Sequence, residues 1–416
     1  MTPARPTLAH LDALTGVRAL AALWVFLYHA WLAGGSVPVV IPLGIANADL
    51  TPWFAFGWLG LDIFFILSGF LLTRQEWIRL EGDETGSGFS NPARFRRFCA
   101  TFLRKRILRV YPAYYGCLTL LLALAATHLY LRLPGRLELL LHLGMMHNVI
   151  ERYIATMNGV FWTLPFEWQF YLFFPLLFLL LVRAGPWALA AVGLSLVYAA
   201  KAHVIMTDDG FMQTQLPIRL DAFVLGMCAG RFAARTPLRR RHAQQAFYTG
   251  LIVLFATPLL FADLPTGNHY YTVKGFLRPL WIQLGVILTL LGMTGERHPG
   301  VAIFGNRLAV ALGLISYSIY LLHIPVMEMF ILHRGALGPL GRLPYGLPLL
   351  LGCALPLILL ASTISYKLIE QPFQRRRAPR RGGWFGSSGG LLDRVDPLLV
   401  LLAWAALMMV ALQLLR

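Results

Sequence analysis

Apolar runs of close to twenty residues recur from one end of this chain to the other. A helical run of that length matches the roughly 30 Å hydrocarbon core of a bilayer. Inside hydrocarbon every backbone polar group must be satisfied within the protein, which leaves helices or a closed barrel. Runs this long and this continuous choose helices. Of the 416 residues, 57% are hydrophobic and only 13% are charged, against about 25% charged in soluble domains. The expected fold class is all-α and integral to the membrane. It is a polytopic bundle of about ten core transmembrane helices plus one appended C-terminal helix.

Spans are expected at 11–33, 57–73, 110–131, 161–182, 186–203, 216–234, 245–262, 277–294, 308–333, 346–370 and 396–415. Stretch 74–109 is rich in arginine, from Arg74 through Arg94, Arg96 and Arg97 to Arg104, Arg106 and Arg109. No Lys or Arg occurs between His29 and Arg74. Positive charge stays inside, so 74–109 faces the cytoplasm and 34–56 the outside. Alternation then puts Arg231, Arg235, Arg239–Arg241 and Arg375–Arg377 inside as well, the N-terminus in the cytoplasm and the C-terminus outside. The net charge of +17 reads as this loop bias and not as nucleic-acid binding. Segment 137–150 is too short to span and reads as interfacial or re-entrant. The N-terminus is like a signal peptide, with Arg5 before an apolar core, but no small-residue cleavage site follows. It reads as a retained first helix. Cys99, Cys117, Cys228 and Cys353 are scattered without metal or disulfide spacing, and no metal site is expected. Residues 1–373 form the membrane domain, 374–395 a basic then Gly/Ser-rich linker, and 396–416 an additional helix.

Ionisable side chains within such spans are costly and mark functional sites. Arg18 and His29 stand eleven residues apart in the first span, so they share a helix face about 16 Å apart along the axis. Glu167 lies about two turns into its span from the outer end, which matches its depth to that of His29. Asp62 falls in the outer half of the second span. A histidine and two carboxylates at one depth suit general-base or nucleophilic work on a hydroxyl; interhelical hydrogen bonding is the blander reading. Arg106 and Arg109 are i,i+3 neighbours at a membrane surface, fit for phosphates or lipid headgroups. Ser316, Tyr317, Tyr320 and His323 share a late span, where a packed, satisfied histidine is the blander reading. His142 and His147 differ by five residues, do not share a helix face, and read as structural.

Several ordered motifs resemble those of the membrane-bound acyltransferase-3 family of bacterial O-acyltransferases, over about residues 11–373. The paired Arg18 and His29 match its first helix. Gly57, Gly60, Phe64, Phe65, Ser68, Gly69 and Phe70 match its G-x-x-G-x-x-x-FF-x-x-SGF stretch. Phe102, Arg106, Arg109 and Pro112 match its basic loop. Trp162, Leu164, Glu167, Phe170 and Tyr171 match its W-S-L-x-x-E-x-x-FY helix. Ser316 to His323 match SYSIYLLH, and Glu370, Pro372 and Phe373 match the closing E-R-P-F. Thr163 stands where Ser is usual, and Gln371 where Arg is usual.

The resemblance implies an enzyme of the bacterial inner (cytoplasmic) membrane. It implies an acyl-CoA donor, commonly acetyl-CoA, as a substrate rather than a bound cofactor. The acceptor it implies is a hydroxyl of a carbohydrate or glycoconjugate at the outer face. Arg106 and Arg109 then bind the nucleotide phosphates, and Arg18 holds the donor. His29 acts as general base or takes the acyl group itself, and Glu167 orients His29 or stabilises its cationic form. Asp62, Ser68, Tyr320 and His323 are supporting or acceptor-side residues. The 16 Å between Arg18 and His29 is about the reach of a pantetheine arm. With no soluble domain of useful size in the sequence, the whole transfer is expected in the membrane part. A proton-coupled transporter or lipid-linked sugar flippase would also bury Arg, His and Glu, but the internal repeats common in transporters are not visible here. A scaffold in a polysaccharide-assembly complex is the third reading.

Overall fold

The computed structural model describes residues 8–44, 47–82, 89, 91–127, 132–262, 273–333 and 346–375. The long helices are α1 (Leu8–Ala33), α3 (Gly60–Glu81), α4 (Pro92–Ala126), α6 (Leu164–Thr207), α7 (Leu216–Arg235), α8 (Arg240–Leu260), α9 (Val273–Thr294) and α12 (Ser316–Leu332). Shorter helices join them: α2 (Thr51–Ala55), α5 (Arg136–Leu143), α10 (Val301–Gly305), α11 (Arg307–Leu314), α13 (Gly346–Leu349), α14 (Leu355–Ser365) and α15 (Gln371–Arg375). Two π-helical turns link the last three into one apolar stretch, Gly346–Gln374. A small hairpin of β1 (Val40–Pro42) and β2 (Asn47–Asp49), with Val40 opposite Asp49, lies between α1 and α2.

The protein is a helical, multi-pass membrane protein. Six helices among the described residues are long and apolar enough to cross a membrane, and a seventh is added if the bent pair α11–α12 counts as one span. The expected number of about ten is not reached on length and apolarity alone. Helix α7 carries Arg219 and Asp221 within its apolar sequence. The expected spans 161–182 and 186–203 are two arms of α6. They meet at Gly185, where φ is 87°, a conformation open chiefly to glycine, and Pro186 follows at once. Helix α5 has eight residues, about 12 Å at 1.5 Å each, and does not cross. The linker from 376 and the appended helix at 396–415 lie outside the described residues.

Local sequence sets the element boundaries. Asn91 caps α4 by accepting from Ala93 N at 2.8 Å, and Pro92 follows at the first helical position, where its missing N–H costs nothing. Within α12, Pro325 has no N–H for the carbonyl of Leu321. That carbonyl instead accepts from Asn158 Nδ2 at 2.9 Å and Cys117 Sγ at 3.4 Å, which ties α12 to the loop before α6 and to α4. Helices α3 and α7 approach closely. A Cβ on Gly226 would lie 2.4 Å from the Ile66 carbonyl, and one on Gly230 would lie 2.4 Å from that of Phe70. This is the small-residue packing that membrane helices use. Buried ion pairs brace the same region, Lys201–Asp221 at 3.0 Å and Arg219–Asp62 at 3.4 Å.

Candidate active site

A cavity of about 110 Å³ opens between α1, α3, α4, α6 and α12. One part of its wall is charged: Arg18 from α1, Arg106 and Arg109 from α4, and Glu167 from α6. Apolar groups, among them Leu61, Phe64, Leu67, Leu164 and the ring of Tyr320, make up much of the rest. The Nε atoms of Arg18 and Arg106 are buried and have no hydrogen-bond partner. Guanidinium N–H groups left so are costly and suited to an anion's oxygens. The Arg106 guanidinium also lies over the rings of Phe102 and Tyr171, 5.6 Å and 5.8 Å from their centroids. Their π-faces hold the charge in place without competing for its N–H donors.

Glu167 belongs to this cavity. Its Oε1 accepts from Ser68 Oγ at 2.9 Å and from the Tyr171 hydroxyl. Near the same cluster, Glu370 accepts from Ser318 Oγ at 2.6 Å and from Gln374 at 3.4 Å. The structure therefore groups Arg18 with Glu167, whereas equal depth in their spans had paired Glu167 with His29. The reason lies in residues 150–163. Asn158, Val160, Phe161 and Thr163 are all buried, so this loop descends into the bundle before α6 begins. Glu167 stands in the first turn of α6, and that turn lies deeper than the first turn of a helix that starts at the surface.

His29 has a different partner. His323 Nδ1 lies 2.8 Å from the Tyr320 carbonyl and 3.1 Å from that of Ile319. A carbonyl only accepts, so Nδ1 carries the hydrogen and the neutral ring leaves Nε2 bare. That Nε2 is 3.3 Å from His29 Nδ1, which is also 2.9 Å from the Val25 carbonyl. By the same argument His29 Nδ1–H donates to both. His29 Nε2 is left with a free lone pair, the form a general base or nucleophile needs. The backbone of two helices thus assigns the tautomers of both rings.

The remaining residues divide between the two groups. Tyr320 joins them: its hydroxyl donates to the Val160 carbonyl at 2.8 Å and also bonds Thr163, while its ring stands 5.9 Å from that of His323. Ser68 lines the cavity. Asp62 does not; it lies six residues before Ser68, 240° round α3, and is buried in its pair with Arg219. His142 and His147 do meet, with ring centroids 4.1 Å apart. Helix α5 ends at Leu143 between them, so a shared helix face is not what brings them together. Their bonds include those to Thr156 and the Phe161 carbonyl, and these pin the descending loop. Reading from spans passed over Lys201, Arg219, Asp221 and Arg278, although each is an ionisable group in or beside an apolar run, the signal that found Arg18.

Known proteins resemble this chain over most of its length. A protein of Staphylococcus aureus (strain COL) named "Putative O-acetyltransferase SACOL0978" is 24% identical over 404 residues, covering 88% of this chain and 58% of that protein. The "O-acetyltransferase OatA" of S. aureus (strain NCTC 8325 / PS 47) is 23% identical over 440 residues, covering 95% of this chain and 63% of its own length. A "Putative acetyltransferase ORF330" of Acidianus two-tailed virus is 27% identical over 320 residues, covering 75% of this chain and 82% of its own. The chain thus spans a little over half the length of the staphylococcal relatives. No solved structure matches it. The family model described as an acyltransferase domain matches residues 11–367, and on that match the chain belongs to the acyltransferase-3 family.

Proposed function

We propose that the protein is an integral-membrane O-acyltransferase that moves an acyl group, acetyl in the first instance, from acyl-CoA to a hydroxyl. The observation that carries this is the cavity, lined by buried guanidinium donors and by apolar rings, next to a histidine whose Nε2 is bare. An acyl-CoA has the matching polarity: phosphates at one end, a long arm, and a small apolar thioester at the other. Arg106 and Arg109 hold the phosphates from the cytoplasmic side, and Arg18 holds the arm. Glu167 keeps Ser68 and Tyr171 in place along the wall and limits the positive charge there. His29 Nε2 takes the proton of the acceptor hydroxyl as that oxygen attacks the thioester carbon and the thiolate leaves. Attack by Nε2 itself, giving an acyl-histidine, uses the same geometry. The acceptor is a carbohydrate or glycoconjugate at the outer face of the bacterial inner membrane. Residues 1–373 constitute the catalytic unit.

Thiol release from acetyl-CoA by purified protein, with and without a glycan acceptor, tests the reading. His29→Ala is expected to lower the rate by about 10²–10⁴-fold, the usual contribution of a positioned base. Arg106→Gln is expected mainly to raise KM. Retention of label from acyl-labelled donor by wild type but not His29→Ala selects the covalent route. Full activity in His29→Ala sinks both routes.

A further inference from the structure

The cavity and the histidine pair are neighbours that do not share one space. Neither His29 nor His323 lines the cavity, whereas Phe64 and Tyr320 both do. Tyr320 is in ring contact with both sides, 5.9 Å from His323 and 6.3 Å, edge to face, from Phe64. A thioester moving from the arginines towards His29 Nε2 therefore meets this pair of rings.

The two rings are held differently. Tyr320 is buried, and its hydroxyl is bonded to the Val160 carbonyl and to Thr163. Turning it would strip two buried hydrogen bonds at once. Phe64 is only half-buried and is held by packing alone. It sits four residues before Ser68, on the same face of α3, so it lies along the same cavity wall as the Ser68–Glu167 bond. Leu61 and Leu164 belong to the same lining.

We propose that Phe64 is the residue that sets the length of the acyl group. Its ring, packed against Tyr320, is the part of the cavity wall against which a short chain seats. The proposal rests on reading the cavity as the donor site. A seat bounded by the Phe64 ring leaves room for a small acyl group, and each added methylene must displace that ring or find other space. In apolar pockets one methylene changes discrimination by roughly 10- to 200-fold.

The test compares thiol release from acetyl-, butyryl- and hexanoyl-CoA by the purified full chain. Wild type is expected to prefer acetyl. Phe64→Ala is expected to raise the hexanoyl-to-acetyl ratio of kcat/KM by at least about tenfold, while KM for acetyl-CoA, set at the arginines, moves little. Phe64→Leu is expected to give a smaller change in the same direction and serves if the alanine variant does not fold. A wild type that uses hexanoyl as well as acetyl overturns the proposal. So does an unchanged ratio in both variants while acetyl transfer persists, which leaves the donor reading intact. Absence of thiol release from every acyl-CoA by wild type overturns the donor reading and this proposal together.

Discussion

At the scale of single residues, the tautomers of His29 and His323 are decided by backbone carbonyls. His323 does not touch the cavity, so on this reading it is a positioning residue that acts through His29. A glutamine at 323 can present an amide oxygen to His29 Nδ1–H, and a leucine cannot. His323→Leu is therefore expected to lower kcat by roughly one to two powers of ten with KM for the donor nearly unchanged, as for a misplaced catalytic group. His323→Gln is expected to recover much of the loss. Equal loss in both variants would mean that His323 only packs. Arg18 and His29 were legible in the sequence because eleven residues is close to three whole turns, and one helix holds both. The partner of His29 was not, because 294 residues separate it from His323 and nothing local in either helix announces the meeting.

At the scale of elements, the α3–α7 contact is the most extensive between any two helices among the described residues. It depends on Gly226 and Gly230, whose spacing of four puts both on one face of α7. Gly226→Leu places a branched side chain against the Ile66 carbonyl and must push the two helices apart. It is expected to lower the melting temperature in detergent and the folded yield. Leu251→Ala, half-buried on α8, is expected to change either much less. That motif stands in the sequence as GMCAG and could have been read there. The depth of Glu167 could not. Its distance from the start of α6 is local information, but the level at which α6 starts depends on how Asn158 and Phe161 are anchored by Leu321, across the fold, and by His147. The same limit applies to His142 and His147, which meet only because a helix stops between them.

At the scale of the molecule, the expected spans from 11–33 to 346–370 correspond to described helices or arms of helices, because apolar length is a property of the sequence itself. Which way they run rests on charge, and two positions test it. Ser36, after α1, and Thr101, in the arginine-rich part of α4, are both exposed. In a cysteine-free background, Ser36→Cys is expected to react with a membrane-impermeant maleimide on intact spheroplasts. Thr101→Cys is expected to react only after permeabilisation. The reverse pattern would invert the topology.

The descent of residues 150–163 has one more effect. Because α6 begins inside the bundle, the positive end of its dipole lies there too, near three guanidinium groups and only one lining carboxylate. A hollow reaching deep into a bilayer is a hazard for a membrane that stores energy as ion gradients. Positive potential of this kind turns away sodium ions and hydronium, as arginines and half-helix ends do in selective pores. On the proposed reading, the electrostatics that favour an anionic donor also oppose cation leakage through the same hollow.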